Sequence, residues 1–203
     1  IDELGGRLAA FHARAPVDSH APADPVSAAA AMIARTDVEL RELRSLAGHD
    51  NQLRLHQIGR RLEAAALTLG DELARRGRDG LVRESHGDLR AEHVVAAHGE
   101  PVLVVDRLEY RRDLRTVDVA DDLSFLTMDL VALGRAGLAE RLEAAYRDAG
   151  GAACSPALLA LYGARRALVR MKVELLRAGQ AGADAAAARE RAATMLRTAR
   201  RLA

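Results

Sequence analysis

The chain has 203 residues and a formal charge of +1, enough for one domain, or one lobe of a larger one, with a real core. So small a net charge offers no field to recruit nucleic acid or an anionic membrane. A single cysteine, Cys154, excludes an internal disulfide and suits a reducing cytoplasm. No run approaches 18 apolar residues and no signal-peptide pattern opens the chain, so a cytoplasmic protein is expected. The basic side chains are arginine throughout except for Lys172, and the first residue is Ile1, which points to a piece of a longer protein.

In chain order, Asp2 to Ala15 places Leu4, Leu8 and Phe11 on one helical face, weakened by Gly5-Gly6. His12 beside that face reads as an ordinary helix histidine. Pro16 to Pro25 reads as a surface linker. An alanine-rich helix follows from Ser27 to about Leu46, broken at Gly48-His49-Asp50, where Asp50 or Asn51 can cap the next helix. That helix is expected from Gln52 to Arg76, with Leu53, Ile58, Leu62, Leu69 and Leu73 at helical spacing. Its arginines (Arg54, Arg60, Arg61, Arg75, Arg76) read as a solvated face with partners such as Glu72, in preference to a phosphate patch. Beyond residue 110, Thr116 or Asp118 can cap a helix carrying Leu123, Leu126 and Leu130. Further helices are expected over Leu138–Ala149, Pro156–Ala178 and Asp184–Leu202, with Ser155-Pro156 as a start signal.

The chemistry concentrates in residues 81–109, LVRESHGDLRAEHVVAAHGEPVLVVDRLE. Short Val- and Leu-rich runs bounded by glycine and proline read as strands joined by a hairpin, with Asp88 and Asp106 at its two ends. A carboxylate in an H-x-D frame, a residue five further on and a later aspartate make up a kinase-type phosphoryl-transfer site. On that reading Asp88 accepts the proton of a substrate hydroxyl, and Asp106 is the hard oxygen ligand that Mg²⁺ requires. The plainer readings are a turn-capping aspartate at 88 and a strand-ending surface carboxylate at 106.

His86-Gly87-Asp88-Leu89-Arg90 through His93, continued by VVDRLEYRRDLRTVDVADDLSFLTMDL, resembles the aminoglycoside phosphotransferase family. It is most similar to the branch whose kinase-like domain precedes a P-loop domain. The similarity runs from LAAFHARA near the start to ALVRMKVELLRAG near the end. It implies an α+β, predominantly α-helical fold: the C-terminal lobe of a protein-kinase-like domain spanning 1–203, with one small β-hairpin carrying the catalytic loop. The nucleotide-binding N-terminal lobe would lie outside this chain.

The resemblance implies ATP and Mg²⁺ (with Mn²⁺ as a substitute) as cofactors and a small-molecule hydroxyl as acceptor. Asp88 becomes the catalytic base, Asp106 and His93 the metal ligands, and Arg90, His93 and Asp106 the cofactor contacts. Glu109 becomes a substrate contact or a loop brace, and His86 a structural support. Asp118, Asp122 and Asp129 would anchor the catalytic loop. Two positions depart from the family: His93 stands where an asparagine is expected, and Arg90 where a second histidine is. Imidazole suits transition metals better than Mg²⁺, so His93, Asp106 and His98 form an alternative transition-metal set. With no phosphate-binding lysine at hand, the competing expectation is a degenerate, non-catalytic lobe that binds or regulates a partner domain.

Overall fold

The computed structural model describes residues 1–180, 182 and 184–203. Among these the chain is mostly α-helical, with four strands of two or three residues each. The helix α6 (Val119–Ala132) is the central element. Its sequence VADDLSFLTMDLVA is apolar on every side apart from a few carboxylates and hydroxyls, the pattern of a helix without a solvent face. Every residue from Val119 to Met128 is buried.

One side of α6 packs Ala120, Phe125 and Met128 into a core with α2 (Pro25–Leu46), α3 (His49–Thr68), α4 (Gly70–Arg78), α8 (Pro156–Ala178) and α9 (Ala185–Leu202). The other side packs Leu123, Leu126 and Leu130 with Leu89, α1 (Asp2–Arg14) and α7 (Ala136–Asp148). Gly5, a weak point in α1 by propensity, is what lets that helix approach α7. A Cβ there would lie 2.7 Å from the Cβ of Ala145, a distance that packed atoms do not tolerate.

The helix caps follow from side chains that accept orphan N–H groups. Asp24 accepts from Ser27 N, Asp118 from Ala120 N, Ser155 from Leu158 N and Asp184 from Ala187 N. Ser155-Pro156 starts α8 as expected. The cap before α3 is Gly48, with no side-chain bond, in place of Asp50 or Asn51. The single helix expected over residues 52–76 is two, divided at Leu69. The division turns Arg76 inward, and it is fully buried. There Nε and Nη2 donate to the two oxygens of Asp118 at 2.6 and 2.7 Å. Arg76 therefore leaves the solvated arginine face, because a buried carboxylate across the core needs a cation more than water needs the guanidinium.

The expected single hairpin is also redistributed. Strand β1 (Val82–Glu84) pairs antiparallel with β4 (Thr116–Asp118), in the register Val82–Asp118, Arg83–Val117 and Glu84–Thr116. The hairpin proper is β2 (Val94–Val95) against β3 (Leu103–Val104). Val17 bridges Arg83, so part of the Pro16–Pro25 linker runs along the outer edge of β1. A short helix, α5 (Arg112–Arg115), leads into β4. No helix among the described residues is long and apolar enough to cross a membrane.

Removing one member of a buried, bidentate ion pair strands the other charge, at about 3–5 kcal/mol. Asp118→Ala is expected to lower the Tm by on the order of 10 °C in calorimetry. Arg60→Ala, which breaks an exposed pair with Glu63, should leave it nearly unchanged.

Candidate active site

The loop between β1 and the hairpin is held by α6. Asp122 is fully buried, and its two oxygens accept the backbone N–H groups of His86 at 3.0 Å and Gly87 at 2.8 Å. A second contact to Asp122 Oδ2 comes from His12 Nε2 on α1, at 3.1 Å. A carboxylate only accepts, so the ring donates from Nε2, while its Nδ1 is hydrogen-bonded to the hydroxyl of Tyr146 at 2.9 Å. His12 is therefore more than the ordinary helix histidine expected: it is buried and couples α1 and α7 to the loop. About two turns later on α6, Asp129 Oδ2 accepts from Ala91 N at 2.9 Å.

Between Asp118 and Asp122 stands Asp121, buried and turned toward α8. It takes Arg165 Nη2 at 2.7 Å and Arg166 Nε at 2.8 Å, and Arg166 also donates to the Gly87 carbonyl at 3.2 Å. Gly87 has a φ of +85°, and a Cβ there would lie 2.8 Å from the Cβ of Arg115. Both the left-handed backbone and the space require glycine.

Of the sequence candidates, His86 is buried and donates from Nε2 to the Val105 carbonyl at 2.9 Å, tying the loop to the far end of the hairpin. Asp88 is partly exposed. Both its oxygens lie 3.1 Å from Arg90 Nε. Arg90 is buried; its Nη2 lies 3.1 Å from Asp88 Oδ2 and 3.0 Å from His93 Nε2, and its Nη1 reaches Glu92. His93 Nδ1 donates to the Asp88 carbonyl at 2.8 Å, and its ring stacks on that of His86 with centroids 5.9 Å apart. Asp106 is exposed, with Oδ2 3.2 Å from His93 Nε2. The imidazole of His93 thus stands between the two candidate carboxylates, 4.0 Å from Asp88 Oδ2 on its other side. Glu109 is exposed, and its carbonyl, not its carboxylate, is engaged, by Arg115 Nη1 at 2.9 Å.

Asp106 is the one non-glycine residue at positive φ, +61°, among the described residues. Aspartate tolerates that region better than most side chains, but the conformation still costs about 1–3 kcal/mol, and such strain clusters at functional sites. As a cation ligand, Asp106 offers a hard, accessible oxygen that fits Mg²⁺. His93 does not fit: a guanidinium can only donate, so the contact with Arg90 uses the Nε2 lone pair that a metal would need. Among the described residues no three His, Cys, Asp or Glu side chains gather into a metal-holding group, so the set with His98 lacks a third ligand.

Sequence reading missed Asp121, Arg165, Arg166 and Tyr146. The available signal was the pair Asp121-Asp122 inside an otherwise apolar helix, since buried carboxylates demand partners. Burial raises the carboxyl of Asp122. The His12 hydrogen bond, the Gly87 N–H and Arg166 outweigh it, so the group sits below its usual value of 3.8. Asp121 is likewise held down, by Arg165 and Arg166 against burial. A depressed folded value gives stability that is present above pH 3.8 and lost as pH falls through the folded value. Acid unfolding is therefore expected below about pH 4. Asp122→Asn should flatten the fall of stability with acid, measured by chemical denaturation at stepped pH.

Over 191 residues the chain is 35% identical to proteins of Mycobacterium tuberculosis and Mycobacterium bovis, each described as uncharacterized. The match covers 92% of this chain but 37% of each relative, so the chain spans little more than a third of the length of the curated relatives it matches. No family model and no solved structure matches it.

Proposed function

We propose that the chain is the helical C-terminal lobe of an ATP-dependent phosphotransferase of the aminoglycoside phosphotransferase type, working in the cytoplasm. It would move a phosphoryl group to a small-molecule hydroxyl. The observation that carries this reading is the loop of residues 86–93, pinned through its backbone by Asp122 and Asp129. That loop and the strained Asp106 put two carboxylates on either side of one imidazole.

In phosphoryl transfer the protein chiefly positions groups and stabilises charge. Asp88 orients the acceptor hydroxyl and takes its proton on a carboxylate oxygen. Arg90 lies 3.1 Å from both oxygens through Nε and from Oδ2 also through Nη2, and a carboxylate has about four lone-pair sites, so at least one stays free to accept. Asp106 would hold Mg²⁺, or Mn²⁺ in its place, with water and phosphate oxygens completing the shell. The cation would supply charge neutralisation on the phosphate oxygens. His93 can join as a ligand only where Arg90 withdraws from Nε2, and Glu109 is free to meet the acceptor. The N-terminal lobe and a following P-loop domain would come from a longer parent, a reading that the partial coverage of the mycobacterial relatives supports.

The grip of Arg90 on Asp88 favours the second reading, a degenerate lobe that binds or regulates a partner domain. The two readings separate in the parent protein. Titrated calorimetrically with Mg²⁺ and a non-hydrolysable ATP analogue, His93→Asn should bind several-fold more tightly, on the order of 1 kcal/mol. Asp106→Asn should abolish the heat. Unchanged binding in both variants would favour the degenerate lobe. The chain by itself is expected to transfer no phosphate, because catalysis requires about 8 kcal/mol or more of barrier lowering and the phosphate-clamping half is absent from it. Phosphoryl transfer by the purified chain, abolished by Asp88→Asn, would refute that expectation.

A further inference from the structure

Many of the arginines are neutralised. Arg76 meets Asp118, Arg165 and Arg166 share Asp121, and Arg170, Arg177 and Arg191 converge on Glu174. Between α3, α8 and α9 the opposite holds. Arg54 and Arg61, two turns apart on α3, face Arg197, Arg200 and Arg201 across a groove of about 280 Å³, which continues past Arg189 into a second hollow of about 480 Å³. No aspartate or glutamate lines either hollow, and among the described residues none of these six arginines is ion-paired. Arg54 and Arg197 have only the neutral partners Asn51 and Thr194. Five of the seven residues lining the first hollow are arginines, whereas the second is also lined by the apolar Leu46, Met171, Leu175 and Leu196. Neither includes a residue of the 86–109 segment.

Clustered guanidiniums with no counter-charge repel one another, and their planar donor forks match phosphate oxygens in pairs. An open groove of two hollows of a few hundred Å³ has the size of a small-molecule site. No aromatic ring lines the groove to stack bases, as a single-stranded nucleic-acid channel would need. The geometry points to a binding site for a small ligand with two or more linked phosphates and an apolar body. Its phosphates lie among Arg54, Arg61, Arg197, Arg200 and Arg201, and its body rests on Met171 and Leu196. The site is separate from Asp88 and Asp106. Two of the arginines that the sequence assigns to a solvated face, Arg54 and Arg61, form one wall of it.

Inorganic tripolyphosphate, titrated calorimetrically into the chain at low salt, is the test. One-to-one binding is expected, weakened at least about tenfold in Arg197→Glu/Arg200→Glu and, independently, in Arg54→Glu/Arg61→Glu. Because all four side chains are exposed, both pairs should fold. Asp106→Asn should bind as the unaltered chain does. Equal binding in both groove variants, or loss of binding in Asp106→Asn, would overturn the assignment. Tighter binding of an oligoglutamate peptide of equal charge would also overturn it, in favour of an acidic protein partner.

Discussion

A helix buried on all sides cannot send a carboxylate to water, and three stand at the start of α6, one as its N-cap and two in its first turn. Asp118, Asp121 and Asp122 point in different directions from the centre of the molecule, and each must find its counter-charge or donors in a different neighbour. Asp118 reaches Arg76 of α4 and Tyr162 of α8. Asp121 reaches the arginine pair of α8, and Asp122 reaches α1 and the loop. The pairings fix how the surrounding helices are disposed far more narrowly than apolar packing does, because apolar contacts are non-directional and hydrogen-bonded charges are not. The division of the long helix at Leu69 and the inward turn of Arg76 follow from this demand.

The same demand explains the stiffness of the candidate site. Its loop is irregular backbone in the interior, and irregular backbone there must have its N–H groups met. Carboxylates of α6 meet those of His86, Gly87 and Ala91. What the loop displays outward is then free to serve chemistry. Asp88 and Asp106 lie on either side of His93, whose ring is committed at Nδ1 to the chain and at Nε2 to Arg90.

Much of this was legible beforehand. Helix periodicity located α1, α2 and the helices after residue 116, and the Ser155-Pro156 and Asp118 caps lay where their side-chain chemistry requires. Glycine-bounded Val runs revealed β2 and β3. The pairing of β1 with β4 was not legible, since the partner lies more than thirty residues on and a three-residue strand carries too little pattern to specify it. Arg76 was indistinguishable from its solvated neighbours, because the charge that draws it in is 42 residues away. His12 was hidden for the same reason: its partners come from α6 and α7. In the site, the aspartates were visible as residue types at telling spacings. The grip of Arg90, which decides what His93 can offer a cation, depends on side-chain rotamers and leaves no periodic trace.

With arginine at every other basic position, Lys172 is the only side-chain amine in the sequence. It projects from α8 to Glu39 and Glu42 of α2, at 2.5 and 2.7 Å. Burial favours its neutral form, yet the two glutamates outweigh burial and hold its pKa above the ordinary value. A protonated amine is a poor nucleophile, so while α2 lies against α8 this lysine is chemically quiet. Parting the two helices would remove both carboxylates at once and return an ordinary reactive amine. An amine-selective acylating reagent would thus meet one side-chain amine in the chain, and its rate of attack would report on how often α2 parts from α8.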